Sequence, residues 1–304
     1  MKRMKLSLTT RQSLTGLAFT TPFIIGFLLF FLKPLFQSFV FMFCKVNASL
    51  EGYGSEYIGF ENLEYILKKD ATFTTNLLDS MTNLLWQVPV IIVFALFFAI
   101  ILNQKFRGRI VMRAIFFLPV IIASGLVMEI IQSDAAAGAA LSGSVVSAGS
   151  TSNSDVLREL LISTGLGDKF VNAVTTVTDS LFTLTWKTGI QMIIFLAGLQ
   201  SVPTSLYEAA SVEGASGWES FWKITLPMLT PIMQLTIVYS IVDNFTDTKN
   251  PVMSQVMTNA RLGPIRYGWT SAMSWVYFVI IAVVLIIVFV VFYLIGRDRK
   301  TAID

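Results

Sequence analysis

The sequence predicts an all-α, polytopic membrane protein with about six transmembrane helices and a polar, helix-capped elbow between the fourth and fifth. Three observations carry this. Of 304 residues, 54% are hydrophobic and 13% charged, against roughly 25% charged in an ordinary soluble domain, and the mean hydropathy is +0.69. Apolar runs of the length a helical crossing needs, about 20 residues, recur along the chain. One polar stretch, Ser205–Pro227, carries helix-capping residues between two such runs. The length leaves room for several spans with short loops, so one membrane domain over 1–304 is the economical reading.

The apolar runs are Gly16–Phe43, Leu77–Leu102, Ile110–Ile131, Leu181–Leu199, Met228–Val242 and Ala272–Ile295. The first follows "MKRMKLSLTTRQS", which is basic like the start of a signal peptide. Its apolar run is nearly twice a signal's length and no small-residue cleavage site ends it, so a retained first span is expected. The fifth is short, and reaches Phe245 if Gln234, Tyr239, Asp243 and Asn244 face protein or water. Between the first two spans, residues 44–76 mix Tyr, Phe and Gly with charges, as a short folded loop or surface helix would. Residues 133–154, "SDAAAGAALSGSVVSAGSTSNS", read as a flexible outer loop, or alternatively as a small-residue helix packed against neighbours.

Basic residues set the orientation. Six crossings put Lys2, Arg3, Lys5, Arg11, Lys105, Arg107, Arg109, Arg113, Lys223, Arg297, Arg299 and Lys300 on one side, in short segments close to the spans. The other side receives Lys45, Lys68, Lys69, Arg158, Lys169, Lys249, Arg261 and Arg266 in longer loops. Positive charge near span ends marks the cytoplasm, so both termini and the elbow are expected there. A net charge of +3 gives no reason to expect nucleic acid. With one cysteine, Cys44, and no histidine, the chain lacks an internal disulfide, a Cys-rich metal site, and the commonest metal ligand and proton shuttle. No metal site and no catalytic residue are predicted.

Within the elbow, Ser205-Leu-Tyr-Glu208 reads as a capping box starting a helix just after Pro203, and Gly214 suits that helix's end. Ser216-Gly-Trp-Glu219 reads as a second box, opening a helix whose Trp218, Phe221 and Trp222 share a face, and Pro227 marks where the next span begins. Such a pair either lies on the headgroups or meets a protein. The polar face carries Glu208, Glu213 and Glu219 with little Lys or Arg, which favours protein over anionic lipid.

"YEAASVEGASGWESFWKITLPMLTP" resembles the EAA loop of ABC-importer permeases: Glu208-Ala209-Ala210, Gly214 four residues after the second Ala, then Ile224-Thr225-Leu226-Pro227, between the fourth and fifth spans. "TPFIIGFLLFFLKPLFQSF", "YIGFENLEYIL", "RGRIVMRAIFFLPVII", "IFLAGLQSVPTSLYEAA" and "RYGWTSAMSWVYFVII" are similar to segments of the sugar-type (maltose/glycerol-phosphate-like) branch, and together cover most of the chain. Glu213 stands where the family usually has Asp, and residues 247–268 lack the Gly-Gly-Pro turn typical of the branch.

The resemblance implies a permease subunit in a bacterial-type cell membrane, moving a sugar or oligosaccharide inward from an extracytoplasmic solute-binding protein. It would pair with a homologous second permease and with two cytoplasmic ATPases that hold Mg-ATP. The chain has no GxxxxGK[ST] of its own, so no nucleotide cofactor is expected in it. Carried over residue by residue, ATPase coupling falls to Glu208, Ala209, Ala210, Glu213, Gly214, Trp218, Phe221, Leu226 and Pro227. For the solute path, polar and aromatic residues within the runs are the candidates: Asn83, Trp86, Gln87, Glu129, Trp186, Lys187, Gln191, Gln234, Tyr239, Asp243 and Asn244. Each would either touch solute or hydrogen-bond one span to another. A secondary transporter or channel remains the rival, though no inverted repeat is visible. A membrane enzyme would need a clustered catalytic set that the spans lack.

Overall fold

The computed structural model describes residues 8–49, 52–104, 107–114, 161–162, 167–263 and 266–301. Glu129, most of the predicted third span and the predicted loop 133–154 lie outside the described residues, as does the side chain of Trp186.

Helix α1 (Leu8–Phe27) runs through one π turn, Leu28–Leu32, into α2 (Lys33–Phe41). Its start lies upstream of the predicted Gly16. Pro34 explains the wide turn: it lacks an N–H and its ring would strike the carbonyl one α-turn back, while the π turn lets Lys33 N–H reach Leu28 O instead. Strands β1 (Cys44–Ser49) and β2 (Gly52–Tyr57) pair antiparallel from Cys44↔Tyr57 to Ser49↔Gly52. Buried Cys44 and Val46 alternate with exposed Lys45, the period of a strand with one covered face. Helix α3 (Glu61–Glu64) continues through a π turn, Tyr65–Lys69. The outer segment is therefore a hairpin followed by a short helix.

Helix α4 (Ala71–Asn103) extends the predicted second span by a turn and a half at its start. Residues 109–114 are helical. Helix α5 (Asp168–Ser201) contains the fourth span, and α6 (Thr204–Val212), α7 (Gly217–Ser220), a π turn (Phe221–Thr225) and α8 (Leu226–Met228) form the elbow. Then come α9 (Thr230–Thr246), α10 (Pro251–Arg261) and α11 (Tyr267–Thr301). Among the described residues, Ser13–Phe41, Ala71–Asn103 and Tyr267–Leu294 are long and apolar enough to cross a membrane. Two bent pairs qualify when each is taken together: Lys187–Ser201 with Thr204–Val212, bent by 62°, and Gly217–Met228 with Thr230–Thr246, bent by 65°. By length and composition the described residues thus hold three such helices, or up to five if each bent pair is one span. Phe19, Phe23, Phe30, Phe36, Ile286, Phe289 and Val290 stand exposed on α1, its π turn, α2 and α11, surfaces suited to hydrocarbon rather than water.

Contacts divide the chain into two compact units, Met1–Asn83 with Phe245–Ile287, and Leu84–Asn244 with Val288–Asp304. In the first, Asn62 is the structural pin: its Nδ2 donates to Met42 O at 3.0 Å and Cys44 O at 2.9 Å, tying α3 to the root of the hairpin. Gly268 lies so close that an added Cβ would sit 2.5 Å from Cys44 O and 2.9 Å from Asn62 Nδ2. Asn250 caps α10 by accepting from the N–H groups of Val252 and Met253, and also accepts from Ser80 Oγ at 3.0 Å. Phe73, Ile66, Val46, Val252, Phe245 and Met273 fill this unit's core.

In the second unit, Ile91, Ala95 and Ala99 of α4, Phe195 and Leu199 of α5, Leu229, and Ile241 of α9 are buried. Helices α5 and α9 meet at Gly198, where a Cβ would lie 2.9 Å from both Cγ1 and Cγ2 of Ile232 and 3.0 Å from Cδ2 of Leu229. This close approach sits beside the elbow, at the end of one flanking helix and the start of the other.

Candidate functional site

The first elbow helix begins two residues earlier than the predicted capping box places it. Pro203, at φ −60° and ψ 129°, is the N-cap of α6 and no side chain caps it. With the chain already helical from Thr204, Ser205 sits inside the first turn, so the Ser205–Glu208 capping box does not form. The reason is local: proline fixes the last extended residue and takes the boundary for itself. Glu208, Ala209 and Glu213 are exposed, while Ala210 is half-buried.

The end of α6 follows a Schellman pattern. Ala215 N–H donates to Ala210 O at 2.9 Å and Gly214 N–H to Ser211 O at 3.1 Å. Gly214 has φ +80°, a conformation that costs a residue with a Cβ about 1 kcal/mol or more. Nothing lies within 4 Å of where its Cβ would be, so glycine is required by the backbone alone.

Two residues later the second capping box is complete. Ser216 Oγ accepts from Glu219 N–H at 3.3 Å, and Glu219 Oε2 accepts from Ser216 N–H at 2.9 Å and from Ser216 Oγ at 3.0 Å. These bonds, with the backbone N–H first, hold the Glu219 carboxyl below the usual carboxylate range, and Lys223 adds to the effect. Lys223 Nζ stands 3.9 Å from Glu219 Oε1.

Trp218, Phe221 and Trp222 form the predicted aromatic face. The Trp218–Trp222 and Phe221–Trp222 ring centroids are 5.6 and 5.3 Å apart, both edge-to-face. Trp218 remains 70% exposed, so the cluster presents an apolar surface. Pro227 occupies the first turn of α8, just beyond a π turn, as Pro34 does in the first span. Buried Leu229 closes α8 at φ −81°, ψ −4°, where the 65° bend falls. Leu226 and Pro227 are half-buried at this junction.

Sequence reasoning missed the clamp that closes the elbow. The hydroxyls of Tyr207 on α6 and Thr225 before α8 share a hydrogen bond of 2.8 Å, and Thr225 is buried. Eighteen residues separate them, beyond any capping or helical spacing. Gly198 was also missed as a contact residue.

Of the solute-path candidates, the structure brings two pairs together. Asn244 Nδ2 donates to Gln87 Oε1, joining α9 to α4. Gln191 Nε2 donates to Ser240 Oγ at 3.2 Å, joining α5 to α9, while Gln191 Oε1 is buried without a hydrogen-bond partner. Thr236, Ser240 and Asn244 are buried at successive four-residue spacings on α9, a polar stripe that the sequence period would have revealed. Lys187, Gln234, Tyr239 and Asp243 are half-buried. Asn83 and Trp86 are exposed on α4, Trp86 by 77%. The buried pairs match the span-joining role, since an amide left unpaired in hydrocarbon costs several kcal/mol.

The family described as binding-protein-dependent transport system inner membrane component matches residues 71–300. The chain is 32% identical over 305 residues to the probable ABC transporter permease protein YesP of Bacillus subtilis (strain 168), covering 94% of this chain and 93% of that one. It is 31% identical over 236 residues to the arabinooligosaccharides transport system permease protein AraP of the same organism, covering 75% and 67%. In fold it is similar to a chain from a bacterial ABC transporter involved in the import of the acidic polysaccharide alginate, with TM-score 0.66, 19% identity, and 93% and 96% of the two chains covered.

Proposed function

Because the chain belongs to the family of binding-protein-dependent transport system inner membrane components, and is therefore a membrane-spanning importer permease, we propose that it carries a sugar or oligosaccharide and is driven through its elbow by separate ATPase subunits. As one permease domain it would pair with a second, homologous permease and receive solute from an extracytoplasmic binding protein. Both termini and the elbow would face the cytoplasm. The sugar assignment is supported by relatives named for arabinooligosaccharide and lactose transport.

The observation that carries the coupling role is the elbow's construction: a Schellman end, a capping box and a Tyr207–Thr225 clamp, with bends of 62° and 65° where it joins α5 and α9. A piece this stiff passes on a displacement instead of absorbing it. Glu208 is exposed and has no capping bond to make, which leaves its carboxylate for a basic residue of an ATPase groove. Ala209, Ala210 and Gly214 would permit close approach, with Trp218 and Phe221 adding apolar area and Leu226–Pro227 leading the motion into α9. Half-buried Gln234, Tyr239 and Asp243, with Lys187, are the better candidates for meeting solute than the buried pairs.

The test is co-purification with the candidate ATPase, followed by hydrolysis with and without sugar. Wild type should retain the ATPase and show sugar-dependent hydrolysis, whereas Gly214→Trp should insert normally, lose most of the bound ATPase and uncouple hydrolysis from uptake. Normal recovery and coupling in Gly214→Trp would remove the elbow as the docking site. Cysteine labelling in a Cys44-free background should find position 223 accessible from the cytoplasm and positions 68 and 266 from outside. Labelling of position 223 from outside would defeat the orientation.

A further inference from the structure

A cavity of about 440 Å³ opens in the first unit, lined by the start of α4, by α10 and by the start of α11. Its volume falls within the range of small-ligand sites, about 300–1,000 Å³. None of its lining residues is among the solute-path candidates. It lies on the side where the distribution of basic residues places the extracytoplasmic space.

The lining has a specific chemistry. Three planar polar side chains form a relay along one wall: Asn76 Nδ2 donates to Gln255 Oε1 at 2.8 Å, and Gln255 Nε2 donates to Asp70 Oδ2 at 3.2 Å. Asp70 is itself fixed, because its Oδ1 caps α4 by accepting from Phe73 N–H at 3.0 Å. One negative and one positive charge, Asp70 and Arg266, both line the cavity, and Arg266 Nη1 donates to Asn259 Oδ1 at 2.9 Å. An aromatic wall completes it: Tyr65 and Trp269 stack with centroids 4.7 Å apart and planes 10° from parallel.

We infer that this cavity binds one unit of a neutral saccharide at the extracytoplasmic end of the permease. The relay consumes only part of what its members offer, since each primary amide has two N–H groups and an acceptor oxygen. Held in place by these bonds, carboxylate, amides and guanidinium offer both donors and acceptors, which is what sugar hydroxyls require. Ser254 and Thr72 add hydroxyls. The Tyr65–Trp269 stack, with Arg266 Cζ 5.9 Å over the Trp269 ring, adds apolar lining for the C–H surface of a sugar beside these polar groups. Neutrality follows from the charges: Asp70 and Arg266 offset one another, and an acidic sugar would set its carboxylate against Asp70. The inference deepens the importer reading, on which it rests for the class of solute that reaches the pocket.

The test titrates arabinotriose, lactose and digalacturonate into the full chain, purified with its partner subunits in nanodiscs, and follows binding by saturation-transfer NMR. At least one neutral sugar should bind wild type. Ser254→Trp should abolish that binding by filling the cavity; Ser254 is exposed, and no hydrogen bond of its side chain holds α10. Gln255→Leu should weaken binding about tenfold or more by breaking the relay. No binding of either neutral sugar to wild type, unchanged affinity in Ser254→Trp, or tighter binding of digalacturonate would each overturn the inference. Sugar-driven ATP hydrolysis and uptake by the same preparation report on the importer reading separately. Sugar uptake with Ser254-independent binding sinks the pocket alone, whereas Ser254-dependent binding without sugar-stimulated hydrolysis sinks the importer reading and leaves the pocket.

Discussion

Gly198→Ala puts a methyl group into the contact between α5 and α9. Its Cβ would meet Cγ1 and Cγ2 of Ile232 at 2.9 Å and Cδ2 of Leu229 at 3.0 Å, whereas carbon atoms pack best at about 3.5–4.0 Å. The two Ile232 carbons branch from one Cβ, so rotating that side chain clears at most one of them. The helices must part by about half an ångström or more. Overpacking of this kind costs about 1–3 kcal/mol, and alanine returns about 0.8–1.0 kcal/mol of helix propensity over glycine. The net loss is about 1 kcal/mol, read as a melting temperature lower by about 2 °C in thermal denaturation. A double-mutant cycle isolates the cause. Ile232→Ala removes both offending carbons, so in that background Gly198→Ala should become neutral or stabilising. Ile232→Val keeps both and should give no rescue. Melting of Gly198→Ala at or above wild type, or equal rescue by Ile232→Val, would refute the steric reasoning.

Gly214→Ala should destabilise by about 1 kcal/mol through its φ of +80° alone, and Gly214→Asn by less, since Asn tolerates the left-handed region; denaturation midpoints of the two variants decide this. Asn62→Ala strips donors from Met42 O and Cys44 O and should cost about 2 kcal/mol, with faster proteolysis of the hairpin as the local readout. Gly268→Ala, aimed at the same Cys44 carbonyl, should do likewise. For Glu219, the folded carboxyl is more acidic than in the unfolded chain. Its contribution to elbow stability is therefore complete above the ordinary carboxylate range and is lost as pH falls through the lowered folded value. Glu219→Gln can keep the box and should flatten that pH dependence in hydrogen exchange of residues 216–220.

What could be read from the sequence was whatever depends on neighbours a few residues apart. Hydropathy pointed to the helices Ser13–Phe41, Ala71–Asn103 and Tyr267–Leu294, because a backbone in hydrocarbon needs an uninterrupted apolar helix. Ser216, Glu219 and Gly214 announced the elbow because capping and positive φ are local demands. The same logic erred at Ser205: the box motif was present, but Pro203 had already set the helix start. The hairpin escaped because a pairing of two six-residue strands shows little beyond the alternation at Cys44–Val46. Contacts spanning many residues were invisible in principle, and the functional candidates depend on those. Tyr207 with Thr225, Gln191 with Ser240 and Asn76 with Gln255 are each joined only by the tertiary fold. The solute-path candidates were chosen as polar or aromatic residues inside apolar runs, and which of them pair off needed the partners' positions.

The elbow's turn from Ala210 to Glu219 satisfies its own hydrogen bonds without outside help. A groove that receives it meets a finished shape, so little chain ordering, about 0.5–1.5 kcal/mol for each long side chain that must be immobilised, is charged against association. Capture should then proceed at the speed of rigid-body encounter, with no slow folding step in the kinetics and little heat-capacity change beyond that of the Trp218 patch leaving water. Differences in affinity among groove variants would appear as differences in residence time.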